Sequence, residues 1–263
     1  MPWIALLSFL AYALSLGLIL PGVLRRNSVY RRLALLSAAV ALVSHACSLY
    51  FWISPARMGL NLSLINIGST VSLMICVVMT VVASRNRGWF LLPVVYILAM
   101  LHLAAASLMP GEFITHLEST PGLLVHIGLA LFSYAVLVIA ALYAGQLAWL
   151  DHLLKTKQLS FSADLPPLMT IERKMFHITQ VGVVLLTLTL GTGLLYLRDL
   201  FSGENEHKAV LSIAAWLVYV VLLWGHYREG WRGRPVVWLS LLGILLLTFA
   251  YFGSRIWQDI MAG

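Results

Sequence analysis

Eight histidines are scattered through the 263-residue chain, and five of them, His45, His102, His126, His177 and His226, stand in or at the edges of long apolar runs. Imidazole suits chemistry in such surroundings, because one ring nitrogen donates a proton while the other offers a lone pair to a proton or a metal. Carboxylates, its usual companions, are absent from the runs. All ten acidic residues (Glu112, Glu118, Asp151, Asp164, Glu172, Asp199, Glu204, Glu206, Glu229 and Asp259) fall in the intervening loops, in tails or at run ends. Proton-driven pumps and hard-cation channels place Asp or Glu at membrane depth, so this pattern argues against a transporter of that kind. No nucleophile and base pair, Gly-rich phosphate loop or carboxylate couple is present, and no enzyme is expected. Cys47 and Cys76 both lie inside apolar runs without a CxxC, which predicts small packing residues and no disulfide or thiolate metal site.

The elements that must hold these imidazoles follow from composition. At 61% hydrophobic and 10% charged, the chain is too apolar for a soluble domain, where about 25% of residues are charged. Charge-free runs occur at about 1–24, 33–56, 58–84, 88–111, 121–150, 175–197, 209–227 and 235–254. Each is close to the roughly 20 residues that cross a hydrocarbon core of about 30 Å as a helix. In lipid every backbone amide must be paired within its own segment, so these are helices. The expected fold is all-α: one transmembrane domain over 1–263, a polytopic bundle of eight transmembrane helices with a four-helix half at 1–111 and a second half at 121–257. The first run lacks a basic leader and is followed by further spans, so it reads as a retained helix. No internal repeat survives comparison of the two halves.

Counting Lys and Arg on alternate loops sets the orientation. One set holds Arg25, Arg26, Arg31, Arg32, Arg85, Arg87, Lys155, Lys157, Arg173, Lys174, Arg228, Arg232 and Arg234, whereas the other holds Arg57, Arg198, Lys208 and Arg255. The richer set is therefore placed in the cytoplasm, which puts both termini, N-out and C-out, on the outer face of a bacterial inner membrane. The net charge of +7 reports this topology and gives no reason to expect a nucleic-acid partner. The longest loop, about 151–174, falls inside and carries Pro166 and Pro167.

Depth can be counted at about 1.5 Å per helical residue. On that scale His126 on the fifth span and His102 on the fourth lie in the outer half, with His45 on the second nearer the midplane. His177 and His226 fall near the inner surface. Imidazoles from different helices at similar levels suit the axial positions of a haem, whose porphyrin faces fit an apolar bundle. The competing reading is that each histidine simply hydrogen-bonds a neighbouring helix, as interhelical polar pairs commonly do. His116 and His152 read as solvated, while His207, in the outer 198–208 loop, is within reach of a ligand there. Asn61 and Asn66, five apart on the third helix, are expected to bond different neighbours. Gly182, Gly191 and Gly193 on the sixth are expected to allow close helix approach. Trp3, Trp52, Trp89, Trp149 and Trp257 form an interfacial belt. Trp216 sits deeper, inside the seventh span.

Several short elements in the second half resemble a known family. They are His126-Ile-Gly-Leu-Ala-Leu-Phe-Ser133-Tyr134-Ala, Gly191-Thr-Gly193, Lys208 through Trp216-Leu, His226-Tyr-Arg228-Glu-Gly230-Trp231-Arg-Gly233-Arg, and Tyr251-Phe-Gly253. In order, spacing and side of the membrane these are similar to the cytochrome c assembly proteins of the CcsA, CcmC and HemX-like group, over about His126 to Gly253. The resemblance implies an outer haem-ligand histidine at His126 and a transmembrane haem histidine near the inner face at His226. In the first half, His45 resembles a helix-2 histidine of the HemX-like members. The group's tryptophan-rich outer loop is replaced here by Arg198-Asp-Leu-Phe-Ser-Gly-Glu-Asn-Glu-His-Lys208, without tryptophan, and no histidine follows Tyr251-Phe-Gly253. The chain thus resembles the HemX-like branch.

Two functions are expected from these readings. The first is a haem-binding or haem-handling protein, with haem b as cofactor, His126, His45 and His226 as candidate iron ligands, and His102 and Trp216 also at the site. The alternative is an accessory subunit whose partner is another inner membrane protein, such as a transporter, with no haem role.

Overall fold

The computed structural model of the chain describes residues 2–25, 30–54, 59–85, 89–109, 111, 113–115, 121–156, 167–196 and 206–253. Eight helices span these residues: α1 (Pro2–Arg25), α2 (Arg31–Ile53), α3 (Leu64–Arg85), α4 (Leu92–Leu108), α5 (Pro121–Lys155), α6 (Leu168–Tyr196), α7 (Glu206–Glu229) and α8 (Arg234–Thr248). A 3-10 turn at Trp89–Leu91 leads into α4, and a π-helical turn at Phe249–Gly253 ends α8. All eight are long and apolar enough to cross a bilayer, so the protein is an all-α polytopic bundle. Their outward faces carry large apolar side chains such as Val43, Val184 and Leu217. That surface belongs against lipid.

Three boundaries differ from the apolar runs. The third run begins near residue 58, yet α3 starts at Leu64, because Leu60–Asn61 forms a short strand, β1, antiparallel to β2 (Ile114–Thr115). Asn61 is therefore not on the third helix. Its Oδ1 accepts from the Ser63 and Phe113 amides at 3.2 and 3.0 Å, its Nδ2 donates to the Gly111 carbonyl at 3.0 Å, and Asn66 Nδ2 donates to the Asn61 carbonyl at 3.1 Å. The two asparagines form one knot, where different neighbours were expected. A short amide side chain competes with helical hydrogen bonding and favours such turns, and Ser63 Oγ accepts from the Asn66 amide at the helix start.

The loop at about 151–174 is also shorter than the run of charges suggested. Helix α5 continues to Lys155 and α6 begins at Leu168, taking in Glu172, Arg173 and Lys174. Apolarity ends where lipid ends, whereas a helix continues as long as its backbone bonds do. An exposed Asp151 to Lys155 pair at 2.6 Å spans the last turn of α5. Finally, His207 lies in the first turn of α7 and not in a loop. Arg198 to Asn205, Pro166, His116 and Trp257 lie outside the described residues.

The helices divide into two compact units, α1–α4 and α5–α8. In the first, α1 packs on α2 and α4, and α3 packs on α2 and α4; in the second, α5 packs on α6 and α8, and α7 on α6 and α8. Each unit is a closed ring of four. Apolar packing gains little between helices already in lipid, so small residues and interhelical polar bonds hold such rings together.

Candidate functional site

In the first unit a polar link or a ring contact joins every neighbouring pair. Ser8 and Ser44 hydroxyls meet at 2.8 Å and Ser15 Oγ donates to the Ala34 carbonyl at 2.9 Å between α1 and α2, and Thr80 and Tyr96 hydroxyls meet at 2.9 Å between α3 and α4. The Tyr12 and Tyr96 rings lie 5.2 Å apart between α1 and α4. His45 is the centre of this core. It is fully buried, with Nδ1 3.2 Å from the Tyr12 hydroxyl and Nε2 2.9 Å from Ser69 Oγ. Both nitrogens are engaged. His102 donates Nδ1–H to the Leu98 carbonyl one turn earlier at 2.9 Å, which leaves the lone pair on Nε2. Its ring edge fills the notch at Gly68, where a Cβ would stand 2.8 Å from His102 Cδ2 and 3.0 Å from Nε2. His102 thus serves close packing of α4 on α3. Cys76 is buried, with Sγ 3.6 Å from the Val95 carbonyl, but Cys47 is exposed and is not the packing residue expected of it.

The second unit places its histidines differently. Helices α5 and α6 pair antiparallel along their lengths: Gly122 lies under Tyr196, His126 beside Thr192, and Ser133 Oγ donates to the Gly182 carbonyl at 3.2 Å. His126 is half-buried, with Nδ1 3.1 Å from Thr192 Oγ1, and Thr192 in turn donates to the Thr189 carbonyl at 3.0 Å. Neighbouring Val125 is 56% exposed and Leu195, three residues beyond Thr192, is 77% exposed, so the imidazole sits beside open apolar surface. Trp216 is also half-buried, and its indole Nε1–H donates to Thr187 Oγ1 at 2.9 Å, joining α7 to α6.

His226 occupies the last turn of α7, stacked on Phe176 of α6 with ring centroids 3.4 Å apart at 14°. Its Nδ1–H donates to the Trp231 carbonyl at 3.1 Å. That carbonyl is delivered by a tight reversal in which Gly230 and Gly233 both have φ of +69°, a region that β-carbon-bearing residues avoid. Trp231 packs onto Gly225, where a Cβ would stand 2.2 Å from the indole, and the Trp231 amide donates to the Gly225 carbonyl at 3.0 Å. Glu172, one turn before Phe176, has Oε1 buried without a hydrogen-bond partner and 4.0 Å from Arg232 Nε.

Helix α6 is a ruler between the two. Thr192, beside His126, and Phe176, beneath His226, are sixteen residues apart on it, or about 24 Å. His126 and His226 therefore cannot grip one iron. His207, exposed at the start of α7, belongs to the same end of the unit as His126. His177 and His152 are exposed at the other end.

Comparison with known proteins bears on this arrangement. The cytochrome c assembly protein family matches residues 33–262, most of the chain and well beyond the stretch from His126 to Gly253. The chain belongs to this family. Over all 263 residues it is 65% identical to the inner membrane protein YpjD of Escherichia coli (strain K12), covering 100% of both chains. Over 148 residues it is 25% identical to Protein HemX of Brevibacillus brevis, 55% of this chain and 54% of that one. Over 88 residues it is 23% identical to the cytochrome c biogenesis protein CcsA of Synechococcus sp. (strain RCC307), 33% of this chain and 28% of that one. No solved structure matches. The chain is thus a multi-pass inner membrane protein, and since cytochromes c are haem proteins, membership of the cytochrome c assembly family ties it to haem at the level of the family.

Residue spacing pointed to His45, His102, His126, His226 and Trp216 but not to their partners. Tyr12, Ser69, Thr192, Thr187 and the Trp231 carbonyl come from other helices or turns. No sequence separation marks them, although the family elements Gly191-Thr-Gly193 and Gly230-Trp231 contain two of them.

Proposed function

We propose that the protein binds haem in its second unit, with His126 as iron ligand, and handles it as cargo or accessory without turnover of its own. The observation that supports this best is the half-buried His126 imidazole, tied through Nδ1 to Thr192 and flanked by open apolar surface. A ligating histidine needs its second nitrogen held by an outer partner and an apolar wall for the porphyrin plane. Both are present at His126, so the donor set fits. His226, with Nδ1 held by the Trp231 carbonyl, would be a separate ligand position at the other end of the unit. When bound, haem supplies an iron centre; the chain supplies the imidazoles, their orientation and the apolar surroundings. His45 and His102 fit less well, since one has no free nitrogen and the other is wedged at Gly68.

The test is optical. Detergent-purified protein supplied with haem is expected to develop a Soret band that His126→Ala removes or shifts. A wild-type protein that stays colourless overturns the reading and leaves the accessory-subunit alternative.

A further inference from the structure

Three helical threonines in the second unit share one arrangement. Thr187 donates its hydroxyl proton to the Val183 carbonyl at 2.8 Å and accepts from Trp216 Nε1–H. Thr248 donates to the Ile244 carbonyl at 2.8 Å and lies 2.9 Å from the Tyr134 hydroxyl of α5. Thr192 donates to the Thr189 carbonyl and lies 3.1 Å from His126 Nδ1. At Thr187 the direction is forced, because an indole nitrogen only donates and a carbonyl only accepts. A threonine hydroxyl has one proton, and once that proton goes to its own helix the oxygen is left as an acceptor aimed at the neighbouring helix.

We propose that Thr192 is a positioning residue for His126. With its proton committed to the Thr189 carbonyl, it accepts from His126 Nδ1–H and so fixes the imidazole as the tautomer whose lone pair is on Nε2, the nitrogen left to meet a metal centre. A free imidazole exchanges between its two tautomers, and only one of them presents Nε2 as a ligand. The hydroxyl removes that choice together with the Thr189 carbonyl, which the His126 ring also approaches, and the pair fixes the ring plane relative to α6. Carbonyls do the same for His102 and His226, but a hydroxyl needs the second, intrahelical bond to have a defined direction. The role rests on the reading of His126 as a metal-binding imidazole; the tautomer does not.

Thr192→Val keeps the β-branched shape and removes the hydroxyl, and Thr192→Ser restores it. In the full chain labelled with 15N-histidine, with His126→Gln identifying the resonances, wild type and Thr192→Ser are expected to show His126 protonated at Nδ1 and bare at Nε2. Thr192→Val is expected to show a mixture of tautomers. In a haem titration read at the Soret band, the valine variant is expected to bind about ten- to a hundredfold more weakly, with serine restoring affinity. Retention of the single Nδ1–H tautomer in Thr192→Val overturns the proposal, as does valine binding haem like wild type. A tautomer change without haem binding by any variant, wild type included, keeps the assignment of Thr192 and removes haem as the ligand.

Discussion

His45 uses Nδ1 toward Tyr12 of α1 and Nε2 toward Ser69 of α3, and it is wholly enclosed. His126 uses one nitrogen and keeps a half-open edge. Two histidines that look alike in sequence, each on an apolar helix, thus do different things. Removing the His45 ring deletes two interhelical bonds and costs the buried Tyr12 and Ser69 hydroxyls a partner each, and each such loss in a membrane bundle costs on the order of 0.6 kcal/mol, with larger cases near 1.7. His45→Ala is therefore expected to destabilise the protein by about 1–3 kcal/mol once the weakened pairing of these hydroxyls is added, read as a lower midpoint in thermal unfolding in detergent. Its Soret band, with haem supplied, is expected to match wild type; disappearance of that band would make His45 a ligand after all. At this scale the sequence showed which residue types were available. It did not show occupancy, because a histidine's partners sit 24 to 33 residues away in the chain for His45 and 66 residues away for His126.

Between helices, the α5 and α6 pair shows what small residues accomplish in lipid. Glycines 182, 191 and 193 of α6 carry the same expectation from sequence, yet their surroundings differ. A Cβ at Gly182 would stand 2.5 Å from Leu137 Cδ2 and 2.7 Å from its Cγ, and Leu137 is fully buried with no room to turn aside. At Gly191 a Cβ meets nothing within 4 Å. Gly182→Ala is expected to overpack the pair and cost about 1–3 kcal/mol. Gly191→Ala is expected to be neutral or to stabilise by up to about 1 kcal/mol, since alanine favours helix over glycine. Denaturant unfolding of the two variants side by side checks this, and equal effects would mean that the helices do not meet at Gly182. All eight elements were legible because each stretch of hydrocarbon needs its own length of apolar helix. The missed details lay at their ends. The strand pair at Leu60–Asn61 and the extra turns of α5 and α6 depend on which backbone partner is at hand, as with Asn61, and hydropathy does not register that.

Over the whole molecule, the distribution of cations predicts how the His126 end faces. Lys and Arg on one set of alternate loops outnumber those on the other thirteen to four, and such an excess resists translocation across the inner membrane. Arg31 is bound into that rim, bridging α2 to the Ser84 carbonyl at the end of α3 and lying 5.8 Å over the Trp89 ring. Arg228, Arg232 and Arg234 surround the His226 reversal, so the cation excess predicts His226 at the cytoplasmic end of the second unit and His126 at the outer end. The carboxyl terminus, one span beyond Arg234, is then expected outside. Alkaline phosphatase fused there is expected to be active and green fluorescent protein fused there to be dark. The opposite pattern would invert the molecule and place His126 toward the cytoplasm. In the expected orientation, haem held at His126 is reached from the outer face, so a membrane-impermeant reductant added to intact spheroplasts should reduce it, whereas His126→Ala should leave no spectral change there.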